Sequence, residues 1–251
     1  SGGRPGRSFP NFSTYKNTMK LTNIITGMLL LAAPCASGQQ TAPQDAQPVH
    51  TATIYKKGDN GFDTYRIPAT VRTKKGTVLA FAEARKHSRS DTGDIDLVLR
   101  RSTDGGRTWG DIITVWDDAG NVCGNPAPVV DRETGRILLL STWNDGTDHE
   151  KDIHARTAKD TRRVFVLYSD DDGLTWSSPR EITPSVKRED WTWYATGPCH
   201  AIQLQKGRHK GRIVVSCNHG LFKDGKGAGS YSHLIYSDDH GQTWAIGGEG
   251  E

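Results

Sequence analysis

Arg66, Arg85 and Asp91 are the residues whose types and spacing invite chemistry. Arg85 lies 19 residues beyond Arg66, and Asp91 follows six residues later. A guanidinium is planar and always charged, and it grips a carboxylate through two parallel hydrogen bonds, which an ammonium cannot do. Asp91 falls in the polar stretch Lys86-His87-Ser88-Arg89-Ser90-Asp91, read as a loop between strands at 79–82 and 95–100. A carboxyl group on such a loop can swing, give a proton to a departing group and then take one from water. Asp94 and Asp96 are rivals for that task, but Asp96 falls within the second strand and Asp94 borders it, which favours structural roles. No Ser/His/Asp triad, phosphate-binding glycine loop or zinc-ligand spacing accompanies the set.

The elements that must hold these residues repeat along the chain. Ser102-Thr-Asp104-Gly-Gly106-Arg-Thr108-Trp109 returns as Ser169-Asp-Asp171-Asp-Gly173-Leu-Thr175-Trp176 and as Ser237-Asp-Asp239-His-Gly241-Gln-Thr243-Trp244. The spacings are 67 and 68 residues. Each octet follows an apolar stretch, and its Asp and Gly suit a hairpin turn, where Asp accepts backbone N–H groups and Gly takes a positive φ. The Trp is expected to pack back over the turn. A second echo runs ahead of each octet: Arg66-Ile67-Pro68-Ala69, Gly124-Asn125-Pro126-Ala127 and Gly197-Pro198-Cys199-His200. A Gly and an apolar strand follow each one, at Gly76, Gly135 and Gly211. One unit is therefore about four short strands, the blade of a β-propeller. A β-sandwich would not explain the fixed recurrence.

Composition narrows the class further. The 251 residues carry 32 Lys+Arg and 29 Asp+Glu, a net charge of +3. Four basic residues and no acidic ones lie in 1–38, so 28 basic residues remain beyond it, against 29 acidic. The remainder lacks the basic field that phosphate-backbone binding needs, so nucleic acid is not expected as a partner. Met19-Lys20, the apolar run Gly27–Ala33 and the small residues Ala36-Ser37-Gly38 form a secretory leader pattern. Its apolar stretch is too short to span a bilayer, so export to the periplasm or beyond is expected without stable membrane insertion. Lipid anchoring at Cys35 is an open alternative, although Pro34 departs from the small residue wanted there. Residues 1–18 read as an upstream extension, 19–38 as signal peptide, 39–50 as linker and 51–251 as partial propeller. Cys123, Cys199 and Cys217 lack metal spacing and read as buried small hydrophobes, and no metal or other cofactor is expected.

Tyr65-Arg66-Ile67-Pro68, the three octets and Gly124-Asn125-Pro126 together resemble the exo-α-sialidase (neuraminidase) family, whose Asp-box repeats the octets match. The resemblance covers roughly 51–251. It implies an all-β, six-bladed propeller, of which about three blades are present, cleaving terminal α-linked sialic acid from glycoconjugates with retention of configuration. Arg66 corresponds to an arginine that binds the sialic acid carboxylate, Arg85 to a second pocket arginine and Asp91 to the general acid/base. Trp143 is a candidate wall for the N-acetyl or glycerol group, as are Trp191, Trp193 and Tyr194, though packing serves them equally. The family's nucleophile is a tyrosine activated by a glutamate, with two further arginines. These are expected beyond residue 251, and Glu249 and Glu251, read as a Gly-rich turn, are weak substitutes. The chain alone is accordingly expected to be inactive. A non-catalytic Asp-box propeller serving as a binding module is the alternative, and it leaves the Arg66/Arg85/Asp91 set unexplained.

Overall fold

The computed structural model describes residues 50–250; the leader and Cys35 lie outside them, as does Glu251. Twelve strands follow one another among these residues. The first four are β1 (Thr64–Arg72), β2 (Val78–Arg85), β3 (Ile95–Ser102) and β4 (Ile113–Trp116). The next four are β5 (Val122–Val130), β6 (Ile137–Asn144), β7 (Arg163–Ser169) and β8 (Arg180–Glu181), with a short helix α1 (Glu150–Ala155) between β6 and β7. The last are β9 (Trp191–Gln203), β10 (Ile213–Lys223), β11 (Lys226–Ser237) and β12 (Ala245–Glu249). Within each group of four, neighbours pair antiparallel in sequence order. One parallel bridge, Ile95 to Val122, joins the first group to the second. The repeat therefore corresponds to a four-stranded blade, and the described residues hold three of them.

Side-chain parity explains how the blades stack. Ile137 and Leu139 of β6 pack with Leu79, Phe81, Leu97 and Leu99 of the first blade. Leu138 and Leu140 point the other way and pack with Ile213, Val215 and Ile235 of the third. The middle blade is thus buried on both faces, which is why Ile137-Leu-Leu-Leu140 is an unbroken apolar run rather than an alternating one. No helix among the described residues is long and apolar enough to cross a membrane.

The octets occupy the turns from β3 to β4, β7 to β8 and β11 to β12. Asp104 accepts from the Thr108 hydroxyl (2.6 Å) and the Thr108 N–H (2.9 Å), and these bonds hold its carboxyl well below the usual range. Ser102 Oγ donates to Asp104 and accepts from Gly106 N–H, and the same pattern recurs at Ser169/Asp171 and Ser237/Asp239. The turns also reach the preceding blade. Asp172 accepts from Thr77 (2.6 Å) and Arg101 (2.9 Å), while Gly173 lies against Leu79, where a Cβ would stand 2.9 Å from a methyl carbon. In the third blade His240 bonds Asp131 (2.7 Å), and Gly241 lies against Leu138 with only 2.6 Å for a Cβ. Both glycines also have φ above +80°, so two separate constraints exclude a side chain.

Inside the third blade, His233 donates or accepts between the Tyr194 hydroxyl (2.8 Å) and His219 (2.9 Å), and His219 stacks on Trp191. Burial, reinforced by the His219 neighbour, pulls His233 down to about 3, and burial also lowers His219. Both folded values lie below the unfolded value near 6.5, so the unfolded chain takes up more protons as pH falls through 6.5. The stability that this pair contributes is therefore full above pH 6.5 and declines below it, whereas the buried Asp96 carboxyl, pushed up to about 7, contributes with the opposite sign over the same range. In an Asp96→Asn variant, which removes that opposing group, the urea midpoint is expected to be lower at pH 5 than at pH 7, before octet carboxylates begin to titrate; an equal or higher midpoint at pH 5 contradicts the neutral histidine pair.

Candidate functional site

The two arginines reach one carboxylate. Arg66 Nη1 lies 2.8 Å from Asp91 Oδ1, and Arg85 Nη2 lies 2.7 Å from the same oxygen. The geometry begins in β1, whose register slips between Arg66 and Ala69, with Ile67 at φ 53°. A left-handed β-branched residue is strained, and a bulge re-aims the side chains beside it. The same irregularity recurs in β5 between Gly124 and Ala127, with Asn125 at φ 52°. These bulges are the structural content of the second sequence echo. Arg85 ends β2, and its Nη1 donates to the carbonyls of Arg89 and Ser90 (2.7 Å each), which ties down the loop that carries Asp91.

Beneath this triad lies a buried layer. The Glu83 and Arg85 side chains are 4% and 3% exposed, and Arg85 Nη2 meets Glu83 Oε2 at 2.5 Å. Glu83 and Arg85 are two apart on one strand and so share a face. Glu83 Oε1 also accepts the N–H of Asn125 (2.9 Å), and it can do so because residue 124 is glycine: a Cβ there would stand 2.7 Å from that oxygen. Arg162, just ahead of β7, donates to Asn125 Oδ1 (2.7 Å) and lies over the Trp193 ring at 4.0 Å. On the rim, His154 of α1 stacks on Trp193 and faces Glu150 at 3.5 Å. A cavity of about 490 Å³ opens there, lined by Ser90, Asp91, Thr92, Glu150 and His154. The guanidiniums of Arg66, Arg85 and Arg162 thus gather around Asp91 and the buried Glu83, with Glu150 on the rim.

Trp143 stands apart from this cluster. Its indole N–H donates to Asp118 (2.6 Å), and its ring packs with the core shared by the first two blades. Its neighbours Thr142 and Asn144 face Arg162 instead, as strand alternation requires. Trp191 and Tyr194 are core residues, so Trp193 is the one aromatic of that trio near the site. Asp96 is buried in β3, and desolvation with the charges of Asp117 and Asp94 pushes its carboxyl up to about 7. Cys199, expected to be buried, is exposed, as is His200 beside it, where the β9 backbone turns left-handed at Gly197 and Cys199. Glu249 ends a strand where a turn was expected, with its carboxylate held by Arg188. Sequence reasoning missed Glu83 and Arg162. Glu83 carried a signal, a single acid within the apolar run 78–84; Arg162, in a polar stretch, carried none. Among the described residues no cluster of His, Cys, Asp and Glu has the geometry to hold a metal ion.

Residues 76–250 match the family model described as a BNR repeat-like domain. The chain is 37% identical over 164 residues to an exo-alpha-sialidase of Aspergillus fumigatus, covering 59% of this chain and 40% of that one. It is 32% identical over 223 residues to a sialidase of Micromonospora viridifaciens, covering 82% of this chain and 32% of the other. Among solved structures, the Hadza microbial sialidase Hz136 superposes with a TM-score of 0.67 at 30% identity, over 77% of this chain and 39% of that one. The intramolecular trans-sialidase of Ruminococcus gnavus shares the fold, with a TM-score of 0.62 at 19% identity over 77% of this chain and 62% of that one. The chain spans about 40% of the length of the first of these curated relatives.

Proposed function

The chain belongs to the sialidase family that carries BNR repeats, and from that premise we propose that the full-length protein is an exported exo-α-sialidase. It hydrolyses terminal α-linked sialic acid on glycoproteins, glycolipids or oligosaccharides, with retention of configuration. The observation that carries the reading is the convergence of Arg66 and Arg85 on one carboxylate oxygen of Asp91.

A sugar acid with its carboxylate at the anomeric carbon needs fixed cations at that point and a proton donor on the leaving-group side. In this reading the substrate carboxylate takes over Arg66, and Asp91, on a loop, turns to the glycosidic oxygen. It protonates the departing oxygen and then deprotonates the attacking water. The nucleophile, its activating glutamate and the remaining arginines lie outside residues 1–251.

A fluorogenic aryl α-sialoside given to the full-length protein is expected to be cleaved, and proton NMR is expected to show the α anomer of sialic acid first. Initial release of the β anomer overturns retention. Binding of sialosides without any turnover favours the binding-module reading instead. Residues 1–251 alone are expected to leave the substrate intact.

A further inference from the structure

Lys187 follows a one-turn helix, Thr183–Val186, that Pro184 opens in its first turn and that ends where Lys187 itself becomes extended. Its side chain runs inward. Nζ donates to the carbonyls of Arg162 (2.7 Å) and Thr192 (2.6 Å) and to the Thr161 hydroxyl. Burial, reinforced by the charges of Arg162 and Arg156 and opposed by Asp160, pulls the ammonium down to about 7. A lysine in water, near 10.4, is neutral in only about one molecule in 2,500 at pH 7, whereas here the two forms are comparable. The three partners suit either form. In the neutral amine both N–H groups stay on the carbonyls, and the lone pair faces Thr161. That hydroxyl can give its hydrogen to the lone pair or to the Thr192 carbonyl (3.4 Å), and the second choice leaves the lone pair free.

The amine also has space in front of it. A cavity of about 520 Å³ is lined by Lys187 together with its own partners Thr161 and Thr192, and it shares no lining residue with the cavity beside Asp91. Of the four cations on its wall, Lys159 and Arg188 pair with Asp145 and Glu249. Lys187 and Arg156 are left without a carboxylate among the described residues. Arg156 is nonetheless held in place: its backbone is left-handed at the end of α1, its guanidinium lies over the Phe222 ring at 4.6 Å, and Nη2 donates to the Glu189 carbonyl. Two of the wall's carboxylates, Asp160 and Glu181, are turned to Arg163, and the third, Glu189, is exposed. The cavity thus offers a nucleophilic amine and a fixed, unneutralised guanidinium.

We propose that this cavity is a second site, in which the Lys187 amine forms an imine with a small aldehyde that carries an anionic group, the anion resting on Arg156. The nitrogen lone pair bonds to the aldehyde carbon as the C=O π pair moves to oxygen, and one N–H proton passes to that oxygen. The carbinolamine then loses its hydroxyl and the second N–H proton as water, which leaves the C=N bond. No oxidant or reductant takes part, and hydrolysis reverses the step. This chemistry is independent of the glycosidase reading.

Pyridoxal 5′-phosphate is the probe, added in equimolar amount to the full-length protein at pH 7, followed by borohydride reduction and peptide mass mapping. The reduced adduct is expected on Lys187 at about ten times the level of any other lysine within residues 50–250, because only this amine is substantially neutral there. Adduct spread over the exposed lysines, or absent from Lys187, overturns the proposal. Labelling of Lys187 is expected to rise through pH 7 as the proton leaves, and a rise only above about pH 9, as for a lysine in water, overturns it too. Inorganic phosphate is expected to lower labelling at Lys187 severalfold and to spare the exposed lysines, and Arg156→Met is expected to do the same. Labelling of Lys187 that neither change lowers overturns the part given to the anion. The phosphate competition is read on the unmodified chain, so the outcome holds even if Arg156→Met fails to fold.

Discussion

Asp91→Asn in the full-length protein is expected to lower turnover of an alkyl sialoside about a thousandfold, the range that a positioned proton donor supplies. Both arginine contacts fall on Oδ1 of Asp91, and the side chain is 59% exposed. An asparagine keeps an oxygen for the guanidiniums and loses the carboxylate's charge, on an exposed side chain, together with the transferable proton. Two controls follow from that isostery. An aryl sialoside, whose leaving group departs without protonation, should lose far less than the alkyl one. The melting temperature should stay within the scatter of exposed surface substitutions. Equal losses on both substrates would assign Asp91 to binding, and near-normal turnover of the alkyl sialoside would remove it from the chemistry.

Glu83→Ala is expected to act in the opposite way, through the fold. It leaves the buried Arg85 without its 2.5 Å partner and the Asn125 N–H without its acceptor, and Arg85 Nε already has no partner. Removing one member of a buried ion pair costs about 3–5 kcal/mol, a large share of the roughly 5–15 kcal/mol that holds a domain together. Urea denaturation checks the figure, and a loss below about 1 kcal/mol would show that solvent, the Asp91 carboxylate or the Arg89 and Ser90 carbonyls suffice for Arg85. Glu83→Gln, which keeps an acceptor and removes the charge, should fall between the two. The pair of variants thus divides the site: Asp91 governs rate with stability intact, Glu83 governs stability and, through Arg85, the place of the loop.

The blade repeat was legible because it is local: each octet closes its own hydrogen bonds within eight residues, so its pattern survives in the chain. Arg66, Arg85 and Asp91 were legible by motif, and the structure brings them to one point. Trp143 shows the limit of such reading. One step of strand parity separates it from Thr142 and Asn144, and no spacing along the sequence says which face meets Arg162. Glu83 and Arg162 were hidden for a related reason. Both meet Asn125, 42 and 37 residues away: Glu83 does so only once the first two blades have stacked, and Arg162 only once β5, β6 and β7 have come together within the second. The exposed Cys199 sits at a left-handed stretch of backbone, at Gly197 and Cys199, that residue types alone do not announce.

The octet turns also bear on how such a chain can grow. The second and third carry on their own surface the glycine and the polar residue that grip the blade before them, as Gly173 and Asp172 do on Leu79 and Thr77. Each blade in turn offers the leucine and polar groups that the next turn will grip, as Leu138 and Asp131 do for Gly241 and His240. A tandem duplication of some 67 residues therefore copies the glycine plug and the leucine socket together, while the polar pair is matched anew at each joint, Asp172 with Thr77 and Arg101 in one and His240 with Asp131 in the next.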